Sequence, residues 1–351
     1  PQNYYCVRNA DPNGGYSSVE KKDIRTVFFE YYRLKAYFQR WLVRNKLLRN
    51  TISNLSKKIN QHFLAAFTSQ IDLNAFIEGF LNNLVGRLSV ANSLMEKLSP
   101  KLVVVQCAYD HAPLVHAAKK RKIPVVELQH GTIYHNHLGY TYPQAGNGKI
   151  DIFPDYLFTF GVFWNESASF PIAQENIIPV GFPHFERKKK QKTRKPRRDN
   201  QVLFISQNVV GDWLLDLALD VANLLPDYRI IFKLHPKQYA ATKRIRRSIQ
   251  SGSNPNIWLL GADSPPMYDL FSESAYQVGI FSTSIYECIG FAGIPTIICK
   301  LPGWKFSKHL IDSGYATLAE NGRQIADIIL NGKAKPIADK EAFFKDNALP
   351  V

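Results

Sequence analysis

Polar residues that could do chemistry follow several apolar runs of this sequence at the points where those runs stop. In residues 125–132, "VVELQHGT", the apolar run gives way to Gln129, His130 and Gly131. Histidine titrates near neutral pH, and glycine lets backbone approach a ligand closely. The pattern is typical of a turn that happens to contain a histidine, and equally of the edge of an active site.

A second histidine follows the apolar run in "FKLHPKQ", residues 232–238. Pro236 cannot continue a strand, keeps the preceding residue out of the α region and suits the first position of a helix. The sequence therefore predicts His235 at a strand–helix corner, where its imidazole could bind a phosphate oxygen and Lys233 would add positive charge. The structural alternative is a histidine that only caps the helix or is buried.

A third segment, "FSTSIYECIGFAG", places Ser282, Thr283 and Ser284 just before a predicted helix. Hydroxyl groups and free N–H groups at the positive end of a helix dipole favour an anion. Glu287 lies three residues after Ser284, which fits a capping box. A carboxylate there could also accept hydrogen bonds from the paired hydroxyls of a nucleotide ribose, and both interpretations stay open.

The elements that must position these residues alternate between apolar strands and helices, from residue 101 to 186 and again from 201 to 335. This alternation predicts parallel sheets covered on both faces. Ligands of such sheets bind at the carboxyl ends of the strands. Asp110, Ser206 and Gln207 also fall at such ends and are further candidates.

The flanking segments differ in composition. Residues 17–99 have a helical pattern, with a capping-box spacing at Ser17 and Glu20 and a helix expected at about residues 73–98. Basic and aromatic residues interleave in the first part of this region, which is typical of a membrane-surface or partner face, or of a helix whose aromatics pack inside. We expect a helical region at 1–100 packed on a first domain at 101–186, a basic linker at 187–200, a second domain at 201–335 and a tail at 336–351.

The overall composition is that of a globular protein with anionic partners. The 351 residues carry a formal net charge of +15, which favours phosphates, acidic lipid headgroups or nucleic acid. The basic run at 187–198 is short, internal and free of aromatics, so we expect acidic lipid rather than nucleic acid as its partner. No apolar run is long enough for a transmembrane helix and no signal-peptide pattern is present. We expect a cytoplasmic protein, with contact at the inner face of the cell membrane as a further prediction.

Several classes of site are disfavoured by missing motifs. The four cysteines form no CxxC pair, and His130, His135 and His137 lack a carboxylate or cysteine at ligand spacing, so no metal is expected. GxGxxG, the P-loop and GxSxG are absent, which argues against dinucleotide dehydrogenases, P-loop NTPases and Ser-His-Asp hydrolases. No cofactor is expected.

Taken in order, these motifs resemble the GT-B glycosyltransferase superfamily, and more narrowly its bacterial cell-surface polysaccharide branch. That branch includes capsule and lipopolysaccharide Kdo transferases, His-Pro-motif sialyltransferases and CDP-glycerol glycerophosphotransferases. The resemblance spans roughly residues 101–335 and rests on Gln129-His130-Gly131, His235-Pro236, and Ser282-Thr283-Ser284 with Glu287. It implies two Rossmann-like α/β domains that face a cleft, with the helical N-terminal region added.

The resemblance also implies roles for the residues. His130 would be the general base or orient the acceptor, and His235 would contact the donor phosphate and help the nucleotide leave. Ser282, Thr283 and Ser284 would bind phosphate and Glu287 the ribose. Asp110 or Glu127 would be the base or nucleophile if the enzyme retained configuration.

The predicted function is metal-independent transfer of a sugar from a nucleotide donor, CMP-Kdo or CMP-sialic acid first, to a glycan or glycolipid acceptor. The alternatives are a CDP-glycerol-type polyol-phosphate transferase, a nucleotide-sugar epimerase of the same fold, and a non-catalytic glycan-assembly protein.

Overall fold

The computed structural model describes residues 4–8, 24–28, 46–67, 73–142, 150–191, 196–251 and 255–346. The chain divides into two compact units. The N-terminal unit is Pro1–Val126 with Asp151–Asp155, and the C-terminal unit is Glu127–Ile150 with Tyr156–Val351.

The N-terminal unit begins with two short strands, β1 (Tyr4–Arg8) and β2 (Ile24–Phe28), which pair in parallel. The predicted helical pattern from residue 17 is therefore wrong at Ile24–Phe28. That segment, "IRTVF", is rich in β-branched residues, which suit a strand that has a partner to pair with. The predicted cap at residues 17–20 and the basic-aromatic segment at 29–45 lie outside the described residues.

Two long helices follow, α1 (Lys46–Phe67) and α2 (Leu73–Leu98), and they confirm the helical prediction for this part of the region. The last turns of α2 supply much of the unit's apolar core, together with β3 (Val103–Val105) and α3 (Ala112–Lys119). Helix α2 ends just before Ser99, which has a positive φ and precedes Pro100, a residue that disfavours helical backbone before it.

The first sheet contains four strands whose order in space follows the chain. They are β3, β4 (Val125–Leu128), β5 (Tyr156–Thr159) and β6 (Ile177–Pro179). Short 3₁₀ helices occupy Ala108–His111, Val162–Glu166 and Gln174–Asn176. Helix α4 (Pro183–Lys190) follows β6. Residues 187–190, expected in an irregular linker, are instead its last turn.

The second sheet contains six strands in the order β12-β11-β10-β7-β8-β9, with every neighbouring pair parallel. The strands are β7 (Gln201–Ile205), β8 (Arg229–Lys233), β9 (Ile257–Leu260), β10 (Tyr276–Gly279), β11 (Thr296–Cys299) and β12 (Thr317–Ala319). The helices are α5 (Gly211–Leu224), α6 (Thr242–Ser251), α7 (Met267–Glu273), α8 (Thr283–Ala292), α9 (Lys308–Asp312) and α10 (Gly322–Leu330).

This strand order is that of a doubly wound sheet with a reversal of winding between β7 and β10. From β7 the chain winds outward through β8 to β9, and then returns to place β10 on the other side of β7. The two-domain α/β prediction is confirmed, and the sheet predicts a ligand crevice beside the ends of β7 and β10.

Helix α8 is fixed by an aromatic cluster inside the C-terminal unit. Tyr286 is fully buried, and its ring lies 4.8 Å from that of Trp164 and 5.7 Å from that of His309. The Trp164 indole donates to the Phe343 carbonyl at 2.8 Å, so residues near the chain end complete the cluster. A rigid α8 fixes the position of the residues at its first turn.

No helix among the described residues is both long enough and apolar enough to cross a membrane.

Candidate functional site

The reversal between β7 and β10 brings two of the predicted segments side by side. Ser206 and Gln207 follow β7, and Phe281 and Ser282 follow β10. The side-chain amide of Gln207 donates to the Phe281 carbonyl at 3.3 Å, which ties the two strand ends together. The segment that leads into α8 is therefore anchored where a doubly wound sheet binds its ligand.

His235 stands at the end of β8 with extended backbone, followed by a 3₁₀ helix from Pro236. Its Nδ1 accepts from the Lys237 N–H at 3.2 Å. The predicted corner is present, and the histidine does cap the helix through this nitrogen. An accepting Nδ1 assigns the proton of the neutral ring to Nε2, which is then a donor. Burial, and then the charge of Lys237, lower the pKa of His235, so the ring is neutral at pH 7.

Gln238 holds this corner in place and is nearly completely buried. Its Oε1 accepts from the His235 N–H at 3.0 Å and from the Ser206 hydroxyl at 2.8 Å. Gly211 is required beside it, because a Cβ at Gly211 would lie only 1.9 Å from the Gln238 Nε2. One buried amide thus joins the ends of β7 and β8.

The first turn of α8 gathers the three predicted hydroxyl residues. Ser282 is the N-cap, and its hydroxyl accepts from the Ser284 N–H at 3.3 Å. The helix therefore starts with Thr283 and its N-cap is Ser282, so of the two interpretations the capping box between Ser284 and Glu287 is not formed. Free N–H groups and hydroxyls at such a helix start make a favourable place for an anion.

Glu287 lies one turn further along α8 and accepts from the Tyr268 hydroxyl at 2.5 Å through Oε2. Burial raises the pKa of Glu287, while the hydrogen bond from Tyr268 lowers it. Burial also raises the pKa of Tyr268, with the charge of Glu287 as the second cause. Tyr268 therefore stays protonated and orients the Glu287 carboxylate.

The loop that carries His130 reaches the start of α8 within the C-terminal unit. A Cβ built on Gly131 would lie 3.8 Å from the Thr283 Oγ1. Further along the loop, Tyr134 stacks on Phe306 with ring centroids 4.5 Å apart. The ring of Phe306 in turn meets that of Phe281 at 5.4 Å. The backbone that follows His130 thus lies beside the hydroxyl-rich start of α8, and the His130 side chain is exposed.

Gln129 and Glu127 are buried beneath this loop. The Gln129 amide donates to the Gly131 carbonyl at 2.8 Å and accepts from the Phe160 N–H at 2.8 Å. The Glu127 carboxylate is fully buried and accepts from the Tyr140 hydroxyl at 2.6 Å. Both side chains shape the loop from below.

A second histidine of the loop, His137, has its Nδ1 3.1 Å from the Gly139 N–H, and its ring lies 4.8 Å from that of Tyr140. Burial, and then electrostatic repulsion between the two imidazoles of His130 and His137, lower the pKa of His137. The described residues contain no group of three or more His, Cys, Asp or Glu side chains arranged to hold a metal ion.

The two remaining predicted residues are placed differently. Lys233 donates to the Gly261 carbonyl at 2.9 Å and to the Tyr239 hydroxyl at 3.0 Å. Its charge is thus held against the β9 side of the sheet. Asp110 belongs to the N-terminal unit, where it is exposed on the 3₁₀ turn Ala108–His111.

Known structures share this architecture. The kitacinnamycin glycotransferase matches with a TM-score of 0.52 at 12% identity, covering 76% of this chain and 77% of that one. A Listeria monocytogenes protein assigned as a UDP-N-acetylglucosamine 2-epimerase matches with a TM-score of 0.51 at 14% identity, covering 74% and 76%. The chain has a GT-B-like fold. No protein-family model and no curated protein matches the sequence.

Four positions that shape the candidate site were not predicted from the sequence: Gln238, Gly211, Tyr268 and Tyr134. Gln238 carried a usable signal, because it lies three residues after His235, for which a helix cap was the alternative interpretation, and this is the spacing of a capping box. The contacts of the other three residues join segments distant in the sequence, and no local pattern indicates them.

Proposed function

We propose that this protein is a glycosyltransferase that moves a sugar from a nucleotide-activated donor to a glycan or glycolipid acceptor without a metal ion. The observation that supports it most is the approach of the Gly131 loop to Thr283, beside the reversal of the second sheet. In this proposal the base His130 and the phosphate-binding start of α8 would belong to one site. The fold that this chain shares with a glycotransferase and with a protein assigned as an epimerase is compatible with that chemistry.

On the donor side, His235 would donate from Nε2 to an oxygen of the donor phosphate. The first turn of α8, with Ser282, Thr283 and Ser284, would bind the other phosphate oxygens through hydroxyls and N–H groups. As the bond between the anomeric carbon and the phosphate oxygen breaks, that oxygen keeps the electron pair. Donors already aimed at the growing charge stabilise the transition state without reorganising.

On the acceptor side, His130 would remove the proton of the attacking hydroxyl. The acceptor oxygen then forms the new bond to the anomeric carbon, and the proton ends on the imidazole. A positioned base of this kind contributes roughly 100- to 10,000-fold to the rate. Asp110 stays an alternative base or nucleophile for a retaining reaction.

Gln129, Glu127 and Lys233 would position or polarise the groups that bind the substrates, without touching the substrates themselves. Gln129 and Glu127 would hold the His130 loop, and Lys233 would add positive potential without touching the phosphate. Glu287, oriented by Tyr268, would bind the ribose.

For the donor we retain the sequence-based preference: CMP-linked Kdo or sialic acid first, and a polyol-phosphate donor such as CDP-glycerol second. The product would be a bacterial cell-surface polysaccharide. A thermal-shift screen with CMP, CDP, UDP and GDP separates these classes, since a ligand that binds only the folded state raises its melting temperature.

The decisive test is transfer from the donor so identified, measured for His130→Ala and His235→Ala. Each variant is expected to lose about 100-fold or more in kcat/KM. His62→Ala, at an exposed histidine of α1, is the matched control and should transfer like the wild type. If both site variants stay within about threefold of wild type, the assigned roles are wrong.

The same assay without acceptor addresses the alternatives. A nucleotide-sugar epimerase would interconvert the free donor under these conditions. A non-catalytic assembly protein would bind the nucleotide or glycan without turnover in either assay.

A further inference from the structure

The N-terminal half of helix α2 exposes large apolar side chains. Phe76 is 68% exposed and Phe80 is 60% exposed, and they lie one helical turn apart. Leu84 continues the same stripe one turn later and is 37% exposed. The other half of the helix is core, through Val90, Ala91, Leu94 and Met95. An exposed stripe with two phenylalanines marks an interaction surface more often than a chance exposure.

Helix α1, which packs against α2, adds apolar and basic groups. Leu55 is 48% and Ile59 is 39% exposed, and the intervening Lys57 and Lys58 are both exposed. The sequence around α1 carries only positive charges: residues 31–71 contain eight lysines and arginines and no aspartate or glutamate. In the described part of α1, Lys57 and Lys58 therefore place positive charge beside the exposed Leu55 and Ile59.

We propose that the exposed residues of α1 and α2 form a docking surface for an acidic lipid bilayer, with the phenylalanines inserted at the level of the headgroups. Helices with Phe or Leu on one face and lysine on another bind at such interfaces. Anionic lipid complements the exposed Lys57 and Lys58 of α1. A second copy of the chain would instead bring like charges together, which disfavours that association. The surface does not depend on the proposed sugar transfer.

The test is flotation of the full-length protein with vesicles of phosphatidylcholine alone and with phosphatidylglycerol added. Binding is expected only to the acidic vesicles and should weaken as salt is raised, because salt screens the lysines. The double variant Phe76→Ser and Phe80→Ser should reduce the partition coefficient by roughly tenfold or more. Lys57→Gln and Lys58→Gln should each reduce it by roughly fivefold.

The matched control is the pair Leu138→Ser and Val209→Ser, at positions 93% and 79% exposed in the C-terminal unit. These changes remove similar exposed apolar area and should leave flotation unchanged. All six positions are exposed, so the melting temperatures should match that of the wild type. The lysine variants also remove no apolar packing, so they test the surface even if the serine variants fold poorly.

Two results would overturn the proposal. The first is a wild-type protein that does not float with acidic vesicles at low salt. The second is a Phe76→Ser and Phe80→Ser variant that floats like the wild type. A change of oligomeric state in that variant, with flotation retained, would show instead that the surface joins two copies.

Discussion

Replacing Gln238 with alanine tests how closely stability and ligand binding are linked at this site. The Gln238 Oε1 accepts from the buried Ser206 hydroxyl and from the His235 N–H. The alanine variant removes both acceptor contacts at once, and it frees the residue that is proposed to hold the donor phosphate. Folding stability and nucleotide affinity should therefore fall together.

The size of the effect follows from burial. Ser206 is 2% exposed and Gln238 is 7% exposed, so water replaces the lost acceptor poorly. A buried donor left without an acceptor costs about 1–3 kcal/mol, and the Ser206 hydroxyl is such a donor; the half-buried His235 N–H loses its acceptor as well and adds a smaller cost. We expect a loss of about 2–4 kcal/mol, or a fall in melting temperature of roughly 5–10 °C. In contrast, Ser206→Ala leaves Gln238 bonded to His235 and should cost about 1 kcal/mol or less.

The assay is thermal unfolding with and without the nucleotide that binds the wild type, and the control is Gln324→Ala. Gln324 also accepts from a backbone N–H through Oε1, that of Glu320 at 2.8 Å, but it is exposed. Its removal should cost about 0.5 kcal/mol or less. Equal melting shifts for the two alanine variants would refute the argument from burial. A large fall in the melting temperature of Gln238→Ala, with unchanged nucleotide affinity, would refute the role given to His235.

Three further predictions concern the neighbours of the site. Tyr134→Ala removes the ring stacked on Phe306, a contact that contributes about 0.5–1.5 kcal/mol. In steady-state assays kcat should therefore fall about tenfold while nucleotide affinity is retained. Tyr134→Phe keeps the ring and should restore turnover. The pKa of Glu287 is raised in the folded protein. Its contribution to the free energy of unfolding is therefore present at low pH, where the carboxyl is protonated, and is lost as pH rises. Glu287→Gln, which keeps an acceptor for Tyr268, should therefore melt at or above the wild-type temperature at pH 8 yet bind nucleotide about tenfold more weakly; a stability loss would contradict this. Burial lowers the pKa of His309 from 6.5 to about 4. The free energy of unfolding should therefore fall as pH drops below about 6.5, by about 2–3 kcal/mol near pH 4, since one pKa unit corresponds to about 1.4 kcal/mol. In His309→Phe the melting temperature should depend less on pH between pH 7 and 4.5.

The fold could be predicted where local pattern and burial agree. Strands β7, β10 and β11 are compact, largely apolar runs in the sequence and are almost entirely buried in the second sheet, and β8 has a buried apolar centre. The three-residue β12 and the five-residue α9 are too short to show a period, and they were not predicted. The sequence pattern predicts helix at the N-terminal strand β2, because its pairing partner, β1, lies about twenty residues earlier and no local signal identifies it.

From the sequence, the candidate site could be predicted only where its residues directly follow a strand. That rule located His235 at its corner and Ser282 before α8. It could not tell which way a side chain at a strand end points. In β4 the charged Glu127 faces inward, where Tyr140 supplies a donor, while the apolar Leu128 is 38% exposed. Hydropathy alone predicts the reverse, and only the hydrogen-bond partner explains the observed arrangement.

The electrostatics of the proposed donor site come from dipoles rather than from full charges. His235 is neutral at pH 7, and its capped Nδ1 leaves Nε2 as a donor. Lys233 is held by the Gly261 carbonyl. The remaining donors are the hydroxyls and N–H groups that begin α8. Fixed dipoles lose little of their effect to added salt, whereas the lysines of the proposed bilayer surface are screened. Nucleotide binding and membrane binding should therefore respond differently to ionic strength, because one uses preorganised neutral donors and the other uses mobile exposed charge.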